Sequence, residues 1–410
     1  RAMVTRIRIL LTGVSLALAS GACVAVFGMD PLSERAATDA GADDVATADA
    51  PDEAAGACGV DRIGEVGRPL ESPRTEDGGT VLFALSSLDL GINPAEGPPG
   101  FDLDRRVTSD LATSSCALPD AGDPRALLRS VGDPPSGVDN TTFALVQLLR
   151  SYVAAFDPTR IDLRLRTGYF GLVFRIDGWN GAKNDDDVSV MAFPTIGYWR
   201  VLDAGVPEWN GESTRPFDRD AGDLLMPDDR FRAATIGSTL RSAEAWINDG
   251  RLVARFDRLM LPIRSSVDDL RTFDFDLRDA WVAATVSFGN SDVGASLSDG
   301  VIGGRVSASS LLTQISLVYD EQSGTPICSG VVGTANILCD ARDIRLSHCD
   351  DGRALRCDGL SFGARFDAYH LDQLGPFRGR YDADFRAKGQ VPPSERCPDA
   401  GNEPALDCPQ

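Results

Sequence analysis

Apolar side chains at every second position recur along this chain, and that spacing limits what it can fold into more than any other feature. Successive side chains of a strand point to opposite faces, so alternation marks a sheet with one face buried. Leu252, Ala254 and Phe256 alternate directly after Asn248-Asp249-Gly250, a strong hairpin signal. Phe273, Phe275 and Leu277 alternate with Asp274, Asp276 and Arg278, and Ala280, Val282, Ala284, Val286 and Phe288 continue on the other parity. Val81, Phe83 and Leu85 form an earlier strand, and Leu360, Phe362, Ala364, Phe366 and Ala368 a late one. Gly289–Asp292 reads as a turn into Val293–Leu297, and Ser298-Asp299-Gly300 as another turn. Helical spacing occurs twice. Phe143, Val146, Leu149, Val153 and Phe156 follow Asn140 as a cap, and Leu311, Leu312, Ile315 and Tyr319 share one side of Ser309–Tyr319. The fold expected is all-β and mainly antiparallel, a β-sandwich or flattened barrel with one or two covering helices and disulfide stabilisation.

The stretch from Ile161 to Val190 gives the most detailed expectation. Leu163 and Leu165 alternate with Asp162, Arg164 and Arg166, and Phe170, Leu172, Phe174 and Ile176 resume on the opposite parity. A one-residue shift turns every side chain over, so the pattern predicts two strands broken by a bulge or tight turn at Thr167-Gly168. The second strand runs into an acidic loop, Asp177 to Asp187.

The N-terminal part reads as an export signal. Arg6 and Arg8 precede an apolar run from Ile9 to Ala19, too short to cross a bilayer, with Met3 a candidate initiator. Ser20-Gly21-Ala22-Cys23 then resembles a bacterial lipobox, which implies a signal peptide over 1–22 and lipidation of Cys23. Ser20 stands where that motif usually has Leu, so cleavage after Ala19 is the alternative. Residues 23–57 follow as an Ala/Asp-rich acidic tether that cannot bury enough surface to order itself. The β-rich domain spans 58–385, with a loop-rich part over 58–139, a helix over 140–156 and a strand core over 161–370. A Pro-rich tail occupies 386–410.

Nine cysteines are present. Setting Cys23 aside, Cys58, Cys116, Cys328, Cys339, Cys349, Cys357, Cys397 and Cys408 suffice for four disulfides in an oxidising compartment. Sequence does not fix the pairing. Proximity favours Cys58–Cys116, Cys328–Cys339, Cys349–Cys357 and Cys397–Cys408. The competing reading is a zinc cluster of Cys328, Cys339, Cys349 and Cys357 with His348, but its ligands lack knuckle spacing.

The search for chemistry is mostly negative. A net charge of −21 argues against nucleic acid, because a phosphate backbone demands a basic surface. The two histidines, His348 and His370, accompany no Gly-x-Ser-x-Gly elbow, and no HExxH, Walker or GxGxxG motif is present. Two constellations remain. Asp177, Asp185, Asp186 and Asp187, with Asn180 and Asn184, offer the clustered oxygens that calcium requires; the alternative is a solvated loop guarding a sheet edge. Trp179 beside Asn180 and Asp177 is the candidate ligand platform among Tyr169, Tyr198, Trp199, Trp209, Trp246 and Trp281. No cofactor is expected beyond calcium at that loop.

The lipobox-like Cys23, the tether, Gly137-Val138-Asp139-Asn140 before a helix, and the segment from Phe174 to Val190 together resemble predicted bacterial, myxobacterial-type lipoproteins of unknown function. Asn248–Phe256 is similar to a strand pair of laminin-G or concanavalin-like sandwiches. These resemblances imply an outer-membrane lipoprotein of the cell envelope, or a secreted or periplasmic protein, touching the membrane only through its lipid. The expected function is binding of an envelope or extracellular ligand, with a glycan as the candidate. A carboxylate-dependent glycoside hydrolase and a structural, scaffolding lipoprotein are the alternatives.

Overall fold

A computed structural model describes residues 63–70, 78–91, 97–108, 114–117, 133–134, 136–149, 157–201, 207–209, 216–229, 240–264, 272–287, 295–315, 338–351 and 355–377. The chain divides into two compact units, Arg1–Ala54 and Ala55–Gln410, and every described residue lies in the second. The export signal, Cys23, the 23–57 tether and the 386–410 tail lie outside the described residues, as do Cys58, Cys328, Cys397 and Cys408. Among the described residues, no helix is long and apolar enough to cross a membrane.

The fold is mostly antiparallel β. Its strands are β1 (Gly79–Asp89), β2 (Gly171–Trp179), β3 (Ser189–Val201), β4 (Pro207–Trp209), β5 (Leu224–Pro227), β6 (Glu244–Asn248), β7 (Arg251–Arg264), β8 (Thr272–Ser287), β9 (Ser296–Ser307) and β10 (Gly359–Leu371). They form one sheet in the order β4-β3-β2-β1-β10-β9-β8-β7-β6, with β5 also paired to β3. The β6 end of this sheet returns to β3. Asp185 and Ile247 exchange both backbone hydrogen bonds, at 2.8 and 2.7 Å, the Ala192 amide donates to Leu240 O, and the Ser242 amide donates to Val190 O. Eight strands therefore close a ring in sequence order, with the first, β1, hydrogen-bonded to the last, β10. Of the two expected architectures, these bonds describe the barrel.

Alternation explains the barrel wall. Leu172, Phe174 and Ile176 of β2, Leu252, Ala254 and Phe256 of β7, and Leu360, Phe362 and Ala364 of β10 all enter one buried cluster. An eight-stranded ring is just wide enough for side chains to fill it, and here five phenylalanines, Phe83, Phe174, Phe256, Phe275 and Phe362, are 0–1% exposed. The outside of β7 and β8 carries Arg251, Arg255, Arg258, Asp276 and Arg278 beside Val253, Trp281 and Ala283, which a second cluster with Phe101, Leu103 and Ile344 buries. The parity change expected within β8 is real: Asp279 has φ 44° and the register to β9 shifts between Arg278 and Trp281. The hairpin at Asp249-Gly250 is equally as expected, with Asn248 paired to Arg251.

Among the described residues, three α-helices sit at one end of the ring. α1 (Thr141–Leu149) starts at Asn140, whose Oδ1 accepts from the Phe143 amide at 2.9 Å. Its Leu145 and Val146 join the barrel core. α2 (Pro158–Arg166) packs on both β1 and β7, which stand opposite one another in the ring, so it lies across the mouth. α3 (Ala308–Ile315) continues from the end of β9 and adds Leu311 and Leu312 to the core.

α2 corrects the expectation of a strand over Ile161–Arg166. Asp157 caps the Thr159 amide and Pro158 sits in the first turn, where its missing N–H costs nothing. Ile161 and Leu165 are one helical turn apart and buried, whereas Leu163, which the alternation places beside Leu165, is 57% exposed. The short apolar-polar alternation was a coincidence of helical spacing. Of the two expectations for Thr167-Gly168, the tight turn holds and the strand bulge does not: Gly168 ends the helix. Its φ of 70° suits glycine, its amide donates to Leu165 O, and the Tyr169 amide reaches back to Arg164 O. A second correction concerns Ser298-Asp299-Gly300. It is not a turn between strands but lies inside β9, where Asp299 has φ 49° and the register to both neighbours shifts.

One disulfide joins Cys116 to Cys357, with S–S 2.03 Å and Cα–Cα 5.3 Å. It overturns the proximity pairings Cys58–Cys116 and Cys349–Cys357, because strand closure brings residues 241 apart in sequence side by side. Cys339 and Cys349 are disulfide-bonded as well. Thiols already oxidised cannot ligate zinc, so the Cys328, Cys339, Cys349 and Cys357 cluster does not stand. His348 instead places Nδ1 2.8 Å from Asp279 Oδ2.

Candidate functional site

Three places on the barrel bear on function: the acidic loop after β2, a cleft outside β1–β3, and a carboxylate group under the loop from Phe101.

The acidic loop lies at the end of the ring opposite the helices. Asp185 is 4% exposed and organises it: Oδ2 accepts from the Asn180 amide at 2.8 Å, and Oδ1 from the Asp187 amide at 3.2 Å. Asn180 Oδ1 accepts from the Ala182 amide, and Asn184 Oδ1 from the amide of Asp249 across the neighbouring hairpin. Asp177 Oδ1 accepts from Arg175 Nε and Thr80 Oγ1, both at 2.8 Å. Asp186 and Asp187 are exposed. The structure does not gather Asp177, Asp185, Asp186 and Asp187 at ligating distance. Trp179 is 7% exposed, packed into the barrel core, with Nε1 donating to Ala182 O at 3.0 Å. Its indole closes this end of the core. Trp246 and Trp281, edge to face at 6.4 Å, are buried too, under Phe101, Leu103 and Ile63.

The cleft has a volume of about 440 Å³. Leu82, Met191 and Phe193 line it from the outer faces of β1 and β3, and Leu374 and Phe377 from the segment after β10. Arg175 and Arg241 stand in this apolar lining. Arg175 is paired with Asp177, whereas Arg241 is exposed and, among the described residues, has no carboxylate partner.

The third place is the one the sequence reading missed. Phe101 and Asp139 form an antiparallel bridge that sets the Phe101-Asp102-Leu103-Asp104 loop against the turn into α1. One oxygen from each of Asp102, Asp104 and Asp139 lies within 4.8 Å of the others. Asp139 Oδ2 accepts from the Leu103 amide at 2.6 Å and the Asp104 amide at 3.2 Å. Burial and the charges of Asp104, Asp343 and Asp133 push Asp139 up to about 10. Burial likewise raises Asp133 and Asp343 to about 6, against hydrogen bonds from Thr108 and Ser361 respectively. Arg305, 1% exposed on β9, holds the loop from beneath. It donates to Leu103 O at 2.7 Å and Arg345 O at 2.8 Å, and forms a two-pronged pair with Asp351 at 2.8 and 2.6 Å. Backbone contact completes the seal. Asn140 Nδ2 donates to Pro99 O and Gly363 O, and a Cβ at Gly363 would strike the Pro99 carbonyl.

Comparison with family models, curated proteins and solved structures finds no match to this chain. Function therefore rests on this geometry alone. The signal available in the sequence was Asp-x-Asp in a Gly/Pro-rich loop together with an Asp directly before a helix cap. Neither lies in the most acidic stretch. Asp104 and Asp139 are closed over by the loop, 7% and 3% exposed, and so are poorly placed to meet a substrate.

Proposed function

We propose that this chain is a non-catalytic binding protein of the cell envelope, a rigid barrel carried on a lipid-anchored tether. The observation that carries this reading is the cleft on β1–β3, where an unpaired Arg241 stands beside an apolar lining of Leu82, Met191, Phe193, Leu374 and Phe377. That lining suits a ligand with an apolar body and an acidic group, such as a long-chain carboxylate or an acidic glycolipid. Such sites are concave and largely apolar, with few polar groups fixing orientation. The buried Trp179, Trp246 and Trp281 support this amphiphile over a ligand stacked on exposed indoles. The inaccessible Asp104 and Asp139 support binding over hydrolysis.

The test is a binding titration of the full chain with palmitate and with neutral and acidic glycans. Palmitate should bind, and Arg241→Glu should weaken it at least tenfold, about 1.4 kcal/mol. Palmitate binding that Arg241→Glu leaves unchanged, or binding of neutral glycans alone, overturns the reading. Mass spectrometry of the native N-terminus tests the anchor, and an unmodified Cys23 thiol would refute it.

A further inference from the structure

The loop under Phe101 gathers more carboxyl oxygens than the surrounding donors answer. Asp104 and Asp139 are 7% and 3% exposed, and Asp102 is half-buried beside them. Asp139 Oδ2 has its two amides, and Asp104 Oδ1 accepts from the Arg106 amide. The remaining oxygens Asp104 Oδ2 and Asp102 Oδ1 are shut away from solvent with no donor among the described residues. Leaving a buried carboxylate oxygen without a partner costs several times what an ordinary hydrogen bond contributes. Arg305 does not supply the missing partner: its two terminal nitrogens go to Leu103 O, Arg345 O and Asp351, and its Nε is buried without meeting any of these oxygens.

We infer that Asp102, Asp104 and Asp139 bind one calcium ion, which clamps the 101–108 loop to the start of α1. Crowding and orphaned oxygens are separate observations, and both fall on Asp102 and Asp104. Calcium fits the donor set. Its oxygens lie at roughly 2.4 Å, so two on opposite sides of the ion stand about 4.8 Å apart. Magnesium keeps several of its waters and is rarely held by an all-protein cage, whereas this site is closed over by loop and barrel. Bound there, the ion would fix Phe101 and Leu103 over the outer faces of Trp246 and Trp281, on a different face from the β1–β3 cleft. The inference is therefore independent of the cleft.

Equilibrium dialysis of the chelator-treated full chain against labelled calcium should give one ion per chain. Asp104→Asn should lose it and Asp185→Asn, in the other acidic loop, should keep it. On the unsubstituted protein, which needs no variant to fold, calcium at about ten times its Kd should slow hydrogen exchange of the Leu103 and Asp104 amides roughly tenfold. No bound calcium, loss of the ion in Asp185→Asn but not Asp104→Asn, or magnesium binding with equal affinity would each overturn the assignment.

Discussion

The two acidic places on this barrel contrast more than their composition suggests. Asp177–Asp187 concentrates its carboxylates in sequence, yet each described one is used locally or faces water. Asp185 ties two amides of its own loop, Asp177 takes an arginine and a threonine, and Asp187 is exposed. Asp102, Asp104, Asp133, Asp139 and Asp343 are scattered over some 240 positions, and folding brings them into one another's field. Density in sequence measures solvation as readily as it measures a site. The gathering of buried carboxylates from distant segments separates the two, and only the folded chain shows it.

That contrast can be broken or sharpened. Arg305→Met should have the largest effect. It strands Asp351 and releases Leu103 O, for about 3–5 kcal/mol by urea denaturation; a loss below about 1 kcal/mol would mean that the pair is not closed to water. Asp185→Ala leaves the Asn180 and Asp187 amides without acceptors, and about 1–3 kcal/mol is expected in the same assay. An unchanged midpoint would show that the loop does not depend on its central carboxylate. A pH series discriminates by sign. Asp133 and Asp343 have folded-state values raised above the ordinary carboxylate value, so their contribution is complete below about 4 and lost as pH rises to about 6. Calcium-free protein should therefore lose stability across that window, and Asp343→Asn should flatten the fall. A rise instead would assign the titration to other carboxylates. Asp187→Asn, exposed at the surface of its loop, should stay within about 0.5 kcal/mol.

The sheet was legible wherever alternation ran long. In β7, β8 and β10 the inward residues are those that period-2 spacing names, because a half-buried strand leaves no other choice. Short alternation failed at Ile161–Arg166, where Asp157-Pro158 was the decisive signal and it stood outside the pattern. Asp299 misled in the opposite direction: Ser-Asp-Gly is turn chemistry, but here its positive φ makes a bulge within a strand. Site residues were harder for a physical reason. Trp179 looked available because it ends a strand, yet a barrel's end must be plugged and an indole serves. Asp102 and Asp104 looked ordinary because their significance comes from Asp139, Asp343 and Arg305, which other strands and loops deliver.

The seam between β1 and β10 sets an order on assembly. Strands that meet in sequence order can pair as each one emerges, since hairpins need only local closure, but the ring stays open until the last strand arrives at the first. Arg365–Leu371 must be available before β1 gains its second neighbour, and the same strand delivers Ser361 to Asp343 and Gly363 to the Pro99 loop. A chain truncated before β10 would expose two unpaired edges and an uncovered row of phenylalanines, the surface that drives aggregation. Completion of this fold is thus read out at its C-terminal end, as a latch that a partly made chain cannot throw.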